Sequence, residues 1–331
     1  MSWGPPSDGP SRCSVLARQL DEPLPGTAPR ARAWLVLEQP GPYGFRAVTE
    51  SHLPAPLQHS LGTLPKDAGT TVLLARPVGR HADDHVPVEG RRFWLAHTSP
   101  GGVRMRAGRL DDAELTRPDL HDVLIGAADG RLPPWGSRST DPLLLVCTNA
   151  RRDVCCAIEG RPVADALAAD PRRAGSVLEV SHLGGHRFAP TALLLPTGHS
   201  FGRFDARAAG DILDAAGRGE LGALAHHRGR TALAQPAQAA EHAVRAQAHV
   251  TEIDALDVLR RSGEQVVPIA LRWGGTDGVA DVEVRHRDGR AWRVVVRRRT
   301  LTPPRPESCG KAPADGHAWV ADELEPVRPW R

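Results

Sequence analysis

The sequence predicts an α+β fold divided into an N-terminal half and a longer C-terminal half. Three observations carry this. Short apolar runs, Trp34–Leu37, Thr71–Ala75, Arg92–Ala96 and Leu143–Val146, have the length of buried strands and end in turn-forming residues. In the second half such runs alternate with amphipathic stretches that carry helix-capping residues. Residues 127–141 are rich in Gly, Pro and Ser/Thr with little hydrophobic periodicity, which marks a boundary between the halves.

A chain of 331 residues exceeds the usual single domain, and 40% hydrophobic with 24% charged residues is ordinary for a soluble globular protein. A net charge of +3 is too small to imply nucleic acid or a membrane surface as partner. No apolar run approaches the roughly 18 residues of a membrane span, and Met1–Ser14 lacks a charged-then-apolar leader, so a cytoplasmic protein is expected. Five cysteines, an odd number in a reducing compartment, argue against a disulfide framework and toward metal or redox chemistry.

Taken in order, residues 1–12 are Gly/Pro/Ser-rich and expected to be disordered. Cys13 opens a short helix with Val15, Leu16 and Leu20 on one face. The strands at 34–37, 71–75 and 92–96 follow, and Gly102–Gly108 alternates as a half-exposed fourth, joined to the third by a hairpin through Ser99–Gly102. Residues 13–138 therefore read as a smaller α+β domain with a sheet of about four strands.

The second half begins with Leu143–Val146. Pro162 suits the first turn of a helix lined by Val163, Leu167 and Ile158. Val177–Val180 and Ala192–Leu195 read as further strands, and Asp205 as the cap of a helix carrying Ile212 and Leu213 inward. This β-α-β-β-α order within residues 139–222 is what a thioredoxin-like domain provides. Residues 223–331 form an extension: helices at Ala237–His249 and Glu252–Arg261, then a hairpin of Val279–His286 and Trp292–Arg298 around Arg287-Asp288-Gly289. Arg297–Arg299 reads as a solvated strand end, Thr302–Pro306 as a rigid connector and Trp319-Val320 as an edge strand.

The chemistry is concentrated between Leu143 and His186. Cys147 and Cys156 follow one apolar strand with eight residues between them. His182 and His186 follow the next, flanking a Leu-Gly-Gly turn that lets both rings converge on one metal. Thiolates and imidazoles together suit zinc, iron–sulfur clusters and copper. Eight residues is loose for a zinc knuckle, whose cysteines are about two to four apart. From spacing alone, zinc and an iron–sulfur centre both remain open. Cys155 is the alternative to Cys156, while Cys13 and Cys309 lie far from this motif and are not assigned as ligands.

The motifs CTNARRDVCC, SHLGGHRFAPTALLLPTGHSFGRFDA and RGRTALAQPAQAAEHAVR resemble the sucrase/ferredoxin-like family over about 140–250, with WLVLEQPGPYG and the C-terminal SCGK matching more loosely. The resemblance implies a thioredoxin-like [2Fe–2S] ferredoxin domain of the bis-histidinyl branch. Carried across, it gives Cys147, Cys156, His182 and His186 as ligands of a [2Fe–2S] cluster. It implies an electron carrier serving an unidentified redox partner protein, more than an enzyme; no carboxylate pair supports glycosidase chemistry. A thiol-based redox or sensor protein using Cys155 and Cys156, and a zinc-stabilised interaction module, are the other readings. With histidine ligands the potential would exceed that of an all-cysteine cluster and respond to pH. Arg151, Arg152 and Arg187 would add positive charge nearby.

Overall fold

The apolar runs that read as strands are strands, and those of both halves enter one sheet. The structure, a computed structural model, describes residues 12–79, 90–262, 265–268 and 278–327. The stretch expected to be disordered lies, apart from Arg12, outside the described residues.

The chain opens with α1 (Cys13–Gln19), which buries Cys13, Ser14, Leu16 and Ala17. Cys13, Leu16 and Ala17 share one face at helical spacing, so Val15 and Leu20, expected inside, are only partly buried. Next come β1 (Ala33–Glu38), α2 (Ala47–Glu50), α3 (Ala55–Gly62) and β2 (Thr70–Arg76). A hairpin of β3 (Arg91–His97) and β4 (Arg104–Leu110) leads to α4 (Leu120–Ala128) and the short β5 (Ser137–Arg138).

The second half supplies β6 (Leu143–Cys147), α5 (Val154–Ala168), β7 (Val177–Val180), β8 (Thr191–Leu195), β9 (His199–Gly202), α6 (Ala206–Gly217) and β10 (His227–Arg230). The ten strands lie in the order β10-β9-β8-β6-β7-β2-β1-β3-β4-β5. β6 runs parallel to β7 and antiparallel to β8. β2 and β7 make the seam between the halves, pairing antiparallel at Ala75↔Val180 and Arg76↔Glu179. The Arg76–Glu179 ion pair, at 2.6 Å, closes it.

β6 is buried throughout, and its alternation divides the core. Leu144 and Val146 pack with Val163 and Leu167 of α5 and Ile212 of α6. Leu143, Leu145 and Cys147 pack on the other face with Trp34, Val36 and Leu73 of the N-terminal half. Asp205 caps α6 as expected, accepting from the Ala208 amide at 2.8 Å.

α5 starts earlier than expected because Asp153 caps it, accepting from the Cys155 amide at 2.9 Å. Pro162 is therefore interior, and Ile158, placed inward by the sequence reading, is 52% exposed. The carbonyl of Ile158, which Pro162 cannot serve, belongs to the outer side of the helix.

Beyond β10, α7 (Gln235–Ala248) packs Ala237, Ala240 and Val244 on a second sheet, of five strands among the described residues. Its strands are β11 (Leu256–Ser262), β12 (Gln265–Pro268), β13 (Val279–His286), β14 (Ala291–Arg305) and β15 (Ala314–Val327), in the order β12-β11-β13-β14-β15. The helix expected at Glu252–Arg261 is instead β11: Leu256 and Val258 are buried at period two and pair with His286 and Val284. The expected connector is the end of β14, which continues past the exposed Arg297–Arg299 to Arg305. Among the described residues no helix is long and apolar enough to cross a membrane.

Candidate functional site

The site grows from the end of β6. Cys147 is its last residue and is fully buried. Opposite it, Gly160 of α5 lies so close that a Cβ there would collide with the Cys147 carbonyl oxygen. That approach seats the first turn of α5 against the strand end. Cys156, one turn before Gly160 on the same face, is thereby turned toward Cys147. The second pair comes from the β7–β8 loop, where Gly184 and Gly185 have φ of 76° and 72°, a region that disfavours other residues. The turn stacks the His182 and His186 rings with centroids 4.7 Å apart and planes 21° apart. His186 Nδ1 lies 3.1 Å from Cys156 Sγ, and His182 hydrogen-bonds Cys147. All four residues singled out in the sequence converge.

The thiols divide the charge. Cys147 ionises well below the usual thiol range, held there by hydrogen bonds from Cys156 and His182 against its burial. Cys156 is pushed well up, because it donates to Cys147 and is itself buried. Burial and the neighbouring His182 lower His186 to about 4, so its ring is neutral, as a metal ligand must be. His182 Nδ1 is buried with no hydrogen-bond partner, an arrangement that costs about 1–3 kcal/mol unless something binds it.

The buried cation facing this pair is one the sequence reading missed. Arg228, 1% exposed, donates to Thr27 and to the Gly184 carbonyl. It has no carboxylate partner among the described residues. Burial, and after it the nearby Arg187, lower it to about 9, and the sulfur pair of Cys156 and Cys147 opposes that fall. Its signal was present in the sequence as the first residue of the RGRTALAQP motif. A Cβ on Gly185 would collide with its guanidinium, so that glycine makes room for both the turn and the arginine. The arginines named from the sequence are placed differently. Arg187 pairs with the buried Glu22 at 2.8 Å, Arg152 covers the Phe45 ring at 4.0 Å, and Arg151 is exposed.

Cys155 faces away from the Cys147 pair. Consecutive helical residues differ by about 100° in direction, so neighbours in sequence address different surroundings. Cys155 Sγ is 3.3 Å from Cys309 Sγ and 3.6 Å from Cys13 Sγ, and Cys13 and Cys309 are 3.6 Å apart. Asp153 completes the group, with Cys13 Sγ 3.7 Å from its Oδ2. Hydrogen bonds from Cys13, Ser14 and Cys309, acting against burial, bring Cys155 down to about 6. Burial pushes Cys309 up to about 11. Nothing in the local sequence around Cys13 or Cys309 signals that the two meet here.

Fold and site together define an α+β protein with buried thiol groups able to hold metal. The chain belongs to the sucrase/ferredoxin-like family, whose family model matches residues 24–229. That span includes the four converging residues, Cys155 and Arg228, and leaves Cys13 and Cys309 outside. No curated protein and no solved structure gives a significant match.

Proposed function

We propose that Cys147, Cys156, His182 and His186 hold a [2Fe–2S] cluster and that the protein is an electron carrier. The supporting observation is the convergence of two buried thiols and two imidazoles beside Arg228, a buried cation without a carboxylate partner among the described residues. When bound, such a cluster in this ligand set is neutral oxidised and singly negative reduced, whereas zinc in the same set stays neutral. Arg228 thus has a role in the first case and none in the second. The β6-α5-β7-β8-β9-α6 order, with β6 parallel to β7 and antiparallel to β8, supports the thioredoxin-like reading of this part.

The residues divide the work. Cys147 and Cys156 supply anionic charge from inside the core, and His182 and His186 supply neutral donors from the outer loop. His182 is half-buried and lines a surface groove with Phe45, Arg152 and Ser181, which gives electrons a short way out. The exposed Phe45 with Arg46 and Arg151 around it suits a redox partner protein with an acidic face and an apolar centre.

Anaerobically purified protein tests this by iron and sulfide counts with visible and EPR spectra. Two irons and two sulfides per chain, with g-values that change in His182→Cys, are expected. Colourless protein holding one zinc at these four residues would refute the reading. Iron content that survives Cys156→Ser and fails in Cys155→Ser would reverse the choice of cysteine.

A further inference from the structure

Three thiols and one carboxylate from three distant segments meet at the start of α5. Cys13 comes from α1, Asp153 and Cys155 from the cap and first turn of α5, and Cys309 from the loop between β14 and β15. Their ligand atoms all lie within 4.8 Å of one another, and Cys13, Asp153 and Cys155 are buried. The sulfur separations of 3.3–3.6 Å exclude a disulfide, whose sulfurs are about 2.05 Å apart. They approach what a tetrahedral zinc ion requires. Zn–S bonds of about 2.3 Å put two sulfurs about 3.8 Å apart, and a sulfur and an oxygen about 3.5 Å apart. The cysteine triangle would have to open by about half an ångström at most.

The surroundings fit a ligand set as well. Asp153 Oδ2 accepts from Ser308 Oγ at 2.7 Å and from the Cys309 amide at 2.9 Å. Oδ1 accepts from the Cys155 amide at 2.9 Å and lies 3.9 Å from Cys13 Sγ, whose proton metal binding would release, so it keeps a lone pair for an ion. Such hydrogen bonds hold a ligating carboxylate in place. Ser14 Oγ stands 3.3 Å from Cys155 Sγ, where it can donate to a thiolate.

We propose that Cys13, Asp153, Cys155 and Cys309 form a second metal site, separate from the cluster site, which binds one zinc ion tetrahedrally. The ion ties α1 and the β14–β15 loop to the start of α5. Binding releases the thiol protons, so uptake is favoured as pH rises. The site shares no ligand with the cluster and does not rest on that reading; it accounts for Cys155, the neighbour that the cluster does not use.

The test is a metal count on the full chain, purified anaerobically, offered zinc and then desalted. One zinc per chain is expected. Cys309→Ala and Cys13→Ala should lose it while keeping the iron content and visible spectrum of the unaltered protein, whatever those are, and Cys147→Ala should keep the zinc. Zinc-edge X-ray absorption should show three sulfurs and one oxygen. A further measurement needs no variant: alkylation mapped by mass spectrometry should find Cys13, Cys155 and Cys309 protected with zinc and labelled after chelation. No zinc retained by the unaltered chain, zinc retained by Cys309→Ala, a histidine in the coordination shell, or a disulfide among the three cysteines would each overturn the proposal.

Discussion

Glu22 is the point at which the far end of β14 is tied to the N-terminal segment beside the site, and Glu22→Gln isolates its contribution. The carboxylate is 3% exposed. Its Oε2 accepts from Arg305 Nε at 3.0 Å, and its Oε1 lies 2.7 Å from Arg305 Nη2 and 2.8 Å from Arg187 Nε. Gln preserves the shape but removes the charge, and its amide nitrogen would face guanidinium donors. Stranding buried charge in this way costs about 3–5 kcal/mol. In urea that is a midpoint shift of at least about 1 M, for a slope near 3 kcal/mol per M. The pH dependence supplies a second check. Burial pushes the Glu22 carboxyl up, but Arg305 and Arg187 outweigh it and hold the group below its ordinary value. The folded value is the lower one, so the unfolded chain takes up the proton first. Stability from Glu22 is therefore whole above about pH 4.5 and is lost as pH falls through the lowered value. The gap between the unaltered protein and Glu22→Gln should close in acid. Replacing all three partners, Glu22→Leu with Arg187→Met and Arg305→Met, should recover much of the loss, because no charge is then stranded. A cost below about 1 kcal/mol, a gap independent of pH, or a triple variant no better than Glu22→Gln would refute this account.

Two further outcomes follow from the buried cations and imidazoles. Arg228→Met should leave iron bound but lower the midpoint potential by roughly 100 mV, about 2 kcal/mol of lost attraction for the reduced state with charges about 8 Å apart at an effective dielectric of about 20; an unmoved potential in a redox titration would remove Arg228 from the electron-transfer account. The buried His199 and His227 and the partly buried His242 form a chain, with His199 Nδ1 3.0 Å from His227 Nε2 and the His227 and His242 rings 5.8 Å apart. Burial, with neighbouring positive charge, lowers the first two well below the usual histidine value and His242 to about 4. The folded values are again the lower ones, so this stability is complete above about pH 6.5 and falls below it, approaching about 1.4 kcal/mol per pH unit for each histidine near pH 5. His242→Gln should reduce that slope by one proton, which denaturation at several pH values will read.

What was legible in the sequence depended on how local its cause was. Leu143–Val146 and Val279–His286 read correctly because burial and pairing impose a pattern on consecutive residues. Asp205 announced its helix for the same reason. The helix expected at Glu252–Arg261 failed because the segment supports both periods, and pairing with β13, through Val284 and His286, and with β12 on the other side decides for a strand. Pro162 misplaced the start of α5, since an interior proline is tolerated where the outer side of the helix is exposed. The four-residue Cys/His set was visible because each pair is local. Cys13 and Cys309 lie 296 positions apart, and only the packing of α1 and the β14–β15 loop on Asp153 brings them together. Arg228 was hidden for a related reason: nothing about an arginine in a short polar segment says that it will be buried in a strand facing sulfur.

The β2–β7 seam sets a limit on how this chain can be cut. A fragment beginning at residue 139 would keep Cys147, Cys156, His182 and His186, yet β7 would become a bare edge, with its unpaired backbone groups open to another chain. Leu145 and Cys147 would also lose Trp34, Val36 and Leu73, the cover on one face of the strand that carries the first thiol. The N-terminal half is thus the far side of the packed core behind Cys147. An isolated fragment of this kind should self-associate, and shielding Cys147 from solvent is work that the first hundred residues share.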